Sequence, residues 1–129
     1  MKHKIQKSER YAIITGGSRG IGYAIAKELI QKGYHVVICA RSAGRLKKVA
    51  NELSGFGKVE YAAVDLSNRK SIAAFVRKWH KPLYALVNNA GVIGEEHLLQ
   101  KENGTWERVI ATNLNGVYCL TKGLARHIE

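Results

Sequence analysis

The residues of this chain best suited to chemistry by type and spacing are Thr15-Gly16-Gly17-Ser18-Arg19-Gly20-Ile21-Gly22. Gly16 permits a tight turn, Gly20 lets backbone approach a pyrophosphate, and Gly22 lets a helix pack closely on a strand. A helix that begins here aims free N–H groups and the positive end of its dipole at the anion. A glycine-rich string says little alone. It gains weight if a strand precedes it and a helix follows it.

A second candidate lies about twenty residues on. A dinucleotide without a 2′-phosphate is commonly gripped by an acid at the end of the second strand, which accepts hydrogen bonds from the ribose hydroxyls. Here that place holds Ala40, followed by Arg41. A guanidinium pairs its planar fork with a phosphate, and an acid there would repel it, so the residues select NADP(H) over NAD(H). Arg19, inside the glycine turn, is placed to flank the same phosphate. The alternative for Arg41 is a solvated side chain at a helix start.

Other chemistries find less support. Cys39 and Cys119 lie in apolar runs and are expected to be reduced, and His3, His35, His80, His97 and His127 are scattered without metal-ligand spacing. No metal site is expected. Tyr-x-x-x-Lys occurs twice, at Tyr23 to Lys27 and Tyr118 to Lys122, each pair on one helical face. Such spacing is common in helices, and both pairs are assigned to packing and surface roles.

The elements that must position these residues follow from the apolar pattern. Tyr11 to Thr15 is a short buried strand ending at glycine, and Ile21 to Lys32 is a helix ended by Gly33. His35 to Ala40 is a second strand, Ser42 to Leu53 a second helix stopped near Gly55, and Lys58 to Val64 a third strand. Ser67 is expected to cap a helix running to about His80. Pro82 breaks it, Leu83 to Val87 is a fourth strand ending in Asn88-Asn89-Ala90-Gly91, a loop follows, and a last helix covers Thr105 to the C-terminus. Strands alternating with helices imply an α/β fold with a doubly wound parallel sheet of the Rossmann type, in the order 3-2-1-4. Ligands of such sheets bind between strands 1 and 4, at the carboxyl ends. The outer edge of the fourth strand is expected to be bare.

The pattern Thr-Gly-x-x-x-Gly-Ile-Gly resembles the short-chain dehydrogenase/reductase family. Asp65 after the third strand, Asn88-Asn89-Ala90-Gly91 after the fourth, and Trp106 with Thr112-Asn113-Leu114-Asn115-Gly116 extend the likeness in order over nearly the whole chain. The resemblance implies an oxidoreductase passing hydride between NADPH and a carbonyl or alcohol. It implies that the glycine turn carries the pyrophosphate, that Asp65, with Leu66 beside it, contacts adenine, and that Asn88, Asn89, Ala90 and Gly91 shape the cofactor floor. Asn113 matches the family's catalytic Asn, which anchors a water in a proton relay. The family's Ser and Tyr-x-x-x-Lys belong on a later strand and helix that this chain does not reach, so the chain is expected to be the truncated N-terminal half. It is either half of an enzyme or a non-catalytic binding module.

Length and composition agree with one domain over residues 1–129. The chain is 46% hydrophobic, long enough for one core, with residues 1–9 a basic tail expected to be disordered. No secretory signal or membrane span is recognisable, which leaves the cytoplasm as the expected location. A formal charge of +11 favours polyanionic partners, either a phosphorylated small molecule or nucleic acid. No zinc pattern or RNA-recognition aromatics support nucleic acid. The bases of Arg41 to Lys48 read mostly as a solvated helix face. A bare strand edge invites self-association or a complementary fragment, and a structural subunit completing a partner's sheet is the third reading.

Overall fold

The computed structural model describes residues 4, 6–94, 99 and 103–129. The loop expected after Gly91 falls largely outside them, as do residues 1–3 and 5 of the amino-terminal tail, of which Lys7–Glu9 form a 3-10 turn. Strands β1 (Tyr11–Thr15), β2 (His35–Ala40), β3 (Val59–Ala63) and β4 (Leu83–Val87) form one parallel sheet in the order β3-β2-β1-β4. Helices α1 (Gly20–Gln31), α2 (Ala43–Leu53) and α3 (Arg69–Lys78) are the crossovers between them. After β4 come α4 (Asn103–Ile110), a π-helical turn (Ala111–Gly116) and α5 (Val117–Leu124).

The continuous apolar runs of β1 and β2 are explained by helices on both faces. Alternate residues face opposite sides of a strand. Ala12, Ile14, Val36 and Ile38 join Ala26, Ile30, Leu46 and Leu53 of α1 and α2 in one core. Ile13, Val37 and Cys39 join Ile72 of α3 and Leu120 and Leu124 of α5 in the other. Each fully buried isoleucine or leucine contributes roughly 1.5–3 kcal/mol, so the two cores hold the strand ends in fixed relation.

Three details differ from the sequence expectation. Asn68, not Ser67, caps α3: its Oδ1 accepts from the Lys70 and Ser71 N–H groups at 2.9 and 3.2 Å. Ser67 is otherwise engaged, its hydroxyl donating to Asp65 Oδ1 at 2.6 Å. The last helical stretch is not one α-helix from Thr105 onward; it begins at Asn103 and passes through the π turn. There Gly116 lies against β3–α3 loop backbone, where a Cβ would stand 2.3 Å from the Leu66 carbonyl oxygen. Finally, the stretch ends at His127, Ile128 makes a parallel bridge to Leu83, and the Glu129 N–H donates to the Leu83 carbonyl at 3.1 Å. The start of β4's outer edge is therefore paired rather than bare.

Candidate cofactor site

Strand β1 delivers Thr15, nearly fully buried, to the carboxyl end of the sheet beside the turn that follows β4. Its hydroxyl accepts from the backbone N–H groups of Asn89 and Ala90 at 3.1 and 3.0 Å and donates to the Val87 carbonyl at 3.3 Å. Asn89 returns the link, its Nδ2 donating to the carbonyls of Thr15 and Gly16, both at 3.2 Å. Two loops more than seventy residues apart are thus fastened into one floor.

The glycine turn is fitted to that floor. Gly16 has φ +67°, a left-handed conformation that glycine adopts without steric cost, and a Cβ there would meet Asn89 Nδ2 at 2.9 Å. At Gly22 a Cβ would stand 2.3 Å from the Gly16 carbonyl oxygen. The first turn of α1 can lie this close to the strand only without a side chain. Its N-cap, Arg19, places no side-chain hydrogen bond on the helix, and no acid stands in the first turn. The first N–H groups of α1, from Gly20 onward, therefore keep their donors for an external anion. At Gly20 nothing approaches within 4 Å of where a Cβ would be, so the backbone there is open.

In front of the turn lies a cavity of about 370 Å³, lined by the ends of β1 and β2 and the loops after β3 and β4. Four arginines line it (Arg19, Arg41, Arg45 and Arg108), against one acid among the described residues, Asp65. The Asp65 Oδ1 accepts from both the N–H and the hydroxyl of Ser67, at 3.0 and 2.6 Å. The Ser67 hydroxyl above all, then its N–H and the charge of Arg41, hold the Asp65 carboxyl below its ordinary range against the opposing effect of burial. Cys39, at the back of the cavity, is buried, and burial pushes its thiol up to about 12. It stays a neutral thiol near neutral pH. Among the described residues no group of His, Cys, Asp and Glu side chains is arranged to hold a metal, and no helix is long and apolar enough to cross a membrane.

Residues 10–129 match the family model described as short chain dehydrogenase. The chain belongs to the short-chain dehydrogenase family. Its curated relatives include the 3-oxoacyl-[acyl-carrier-protein] reductase FabG of Chlamydia pneumoniae, 36% identical over 120 residues. That of Pseudomonas aeruginosa is 38% identical over 122. These alignments cover 90% and 91% of this chain but 48% and 49% of the reductases, so the chain spans about half the length of the curated relatives it matches. Among solved structures, a metagenomic short-chain oxidoreductase in complex with NADP superposes with a TM-score of 0.85 at 38% identity, covering 92% of this chain and 56% of that one.

Of the residues that the sequence singled out, Thr15, Gly16, Ser18, Arg19, Arg41, Asp65, Leu66, Asn89, Ala90 and Gly91 line one cavity. The others stand around it. Gly20 and Gly22 build the turn behind it, and Ile21 is 74% exposed on the first turn of α1. Asn88 points away, its Nδ2 donating to the Thr121 hydroxyl of α5 at 3.1 Å. Asn113 gives its side-chain amide to the β4 loop: Oδ1 accepts from the Val92 N–H at 2.8 Å and Nδ2 donates to the Val92 carbonyl at 2.7 Å. Its side chain thus positions the loop.

The two Tyr-x-x-x-Lys pairs do not line the cavity. Tyr23 packs against the core and Lys27 lies over the Phe56 ring at 4.6 Å, while Lys122 lies over the exposed Tyr118 ring at 5.6 Å. Sequence reasoning gave no site role to Ser42, Arg45, Val92, Arg108 or Thr112, although Thr112 stood in the family's motif; all five line the cavity. For three of them the spacing held a signal. Arg45 stands one helical turn after Arg41, and Arg108 and Thr112 share a helical face immediately before Asn113.

Proposed function

We propose that residues 10–129 act as one nucleotide-binding unit that holds NADP(H), and that they are the amino-terminal part of a short-chain oxidoreductase. In the whole protein, hydride would pass between the nicotinamide and a carbonyl or alcohol. One observation carries the reading: the uncapped amino end of α1 and four arginines open on a single cavity at the carboxyl ends of β1 and β2. The residues fit an anionic dinucleotide on two counts. The tight contacts at Gly16 and Gly22 leave the turn's backbone forward for a pyrophosphate, and Arg41 stands where an acid would serve a free ribose. The NADP-bound neighbour supports the same choice. Asp65 and Leu66 are assigned to the adenine, and Asn89, Ala90 and Gly91 to the floor under the cofactor. In the resemblance, the serine and Tyr-x-x-x-Lys of proton transfer lie carboxyl-terminal to the matched residues, so substrate chemistry belongs to that part.

Calorimetric titration of the chain with NADPH and with NADH tests this, and NADPH should bind the tighter. Arg41→Ala should then weaken NADPH by roughly 10- to 100-fold, the worth of a charge-assisted hydrogen bond, while leaving NADH nearly as it was. An unchanged ratio would overturn the cofactor assignment. Steep salt-dependent duplex binding with no response to NADPH would favour the nucleic-acid reading instead.

The same reading assigns the rest of the β4 edge, beyond the bridge to Ile128, to a further strand from a complementary segment or a second copy. Sedimentation at micromolar concentration should therefore reveal a species heavier than the monomer. A single monomeric boundary would remove the second copy as the occupant.

A further inference from the structure

Helix α2 begins against its own electrostatics. Its first turn carries no acid, and its N3 position is Arg45, a cation at the positive end of the helix dipole. Local structure holds Arg45 there, because the Ser42 hydroxyl caps the helix by accepting the Arg45 N–H at 3.3 Å. Arg41 precedes the cap, so Arg41 and Arg45 stand four residues apart on either side of it. Both line the cavity, with Ala40 and Cys39 behind them at the end of β2. Two guanidiniums at one helix start repel each other and the dipole. A phosphate between them removes both penalties.

We infer that Arg45 is a specificity-determining residue that closes on the 2′-phosphate of the cofactor opposite Arg41, so that preference for the phosphorylated dinucleotide is shared between the two side chains. The inference rests on the NADP(H) reading above and goes beyond it by assigning a residue that the glycine turn and the strand-end position do not single out. Geometry supports the sharing: a phosphate offers three oxygens, and one planar fork occupies two at most. The α2 amino end adds its own dipole to the same place.

Arg45→Gln and Arg45→Lys decide it, titrated with NADPH, NADH and adenosine 2′,5′-bisphosphate, which carries the 2′-phosphate without a nicotinamide. Arg45 is exposed, so neither change should move the melting temperature. Arg45→Gln should weaken NADPH and the bisphosphate about 10-fold and leave NADH unchanged, and Arg45→Lys should recover part of the loss. Equal weakening of NADPH and NADH, or no weakening, would overturn the role of Arg45. If Arg41→Ala abolishes the preference while Arg45→Gln leaves it intact, the cofactor reading stands and this inference falls. If the unaltered chain shows no preference for NADPH, both fall.

Discussion

Gly22→Ala should lower stability by about 3 kcal/mol, seen as a fall in melting temperature on the order of 10 °C, and should abolish nucleotide binding. The added methyl would stand 2.3 Å from the Gly16 carbonyl oxygen, 2.9 Å from the Gly16 carbonyl carbon and 2.5 Å from Asn89 Nδ2. Backbone on one side and a doubly bonded amide on the other leave no flexible side-chain end to give way. Either α1 moves off β1, or Asn89 loses its bonds to Thr15 and Gly16. Both outcomes dismantle the turn. Gly44→Ala is the matching control: with nothing within 4 Å and a place inside α2, it should stabilise by about 0.5–1 kcal/mol and leave binding alone. Equal effects at the two glycines would refute the close-approach account.

Thr15→Val should cost about 1–3 kcal/mol, measured by denaturant unfolding, though it changes the shape of the side chain very little. The hydroxyl is the acceptor for two N–H groups, those of Asn89 and Ala90, in a place where Thr15 is 1% exposed. Valine leaves the Ala90 N–H against a methyl and the Asn89 N–H with its bond to the Val87 carbonyl at 3.1 Å alone, and a buried unsatisfied donor costs about 1–3 kcal/mol. Thr15→Ser keeps the oxygen and loses only a methyl, so it should be the milder change by a wide margin. If serine proved as damaging as valine, packing rather than the hydroxyl would hold the two loops together.

Much of this was legible because the strands are covered on both faces. β1, β2 and β4 begin and end at the expected residues, since each is an unbroken apolar run that stops where glycine, arginine or asparagine interrupts it. The strand order followed from the alternation of strands and helices and the handedness of the connections. Local capping was less legible. Ser67 and Asn68 are both capping types, and the choice was made by Asp65, which takes the Ser67 hydroxyl and leaves Asn68 to the helix. The π turn had no local signal, because it answers to contacts distant in sequence, Asn113 with Val92 and Gly116 with Leu66. Likewise Arg45 and Arg108 sit among helix residues whose charge pattern suits a solvated face, and only the tertiary arrangement turns them to the cavity.

The fastening of Thr15 to Asn89 also sets an order of events in folding. β1, α1 and β2 are neighbours in sequence and can associate early, but the hydroxyl at the end of β1 finds its partners only after the chain has closed a loop of 74 residues. The glycine turn, though encoded near the amino terminus, therefore reaches its final geometry late, when β4 docks. A chain stalled before that step has a half-built sheet and an anion-binding turn that is not yet shaped.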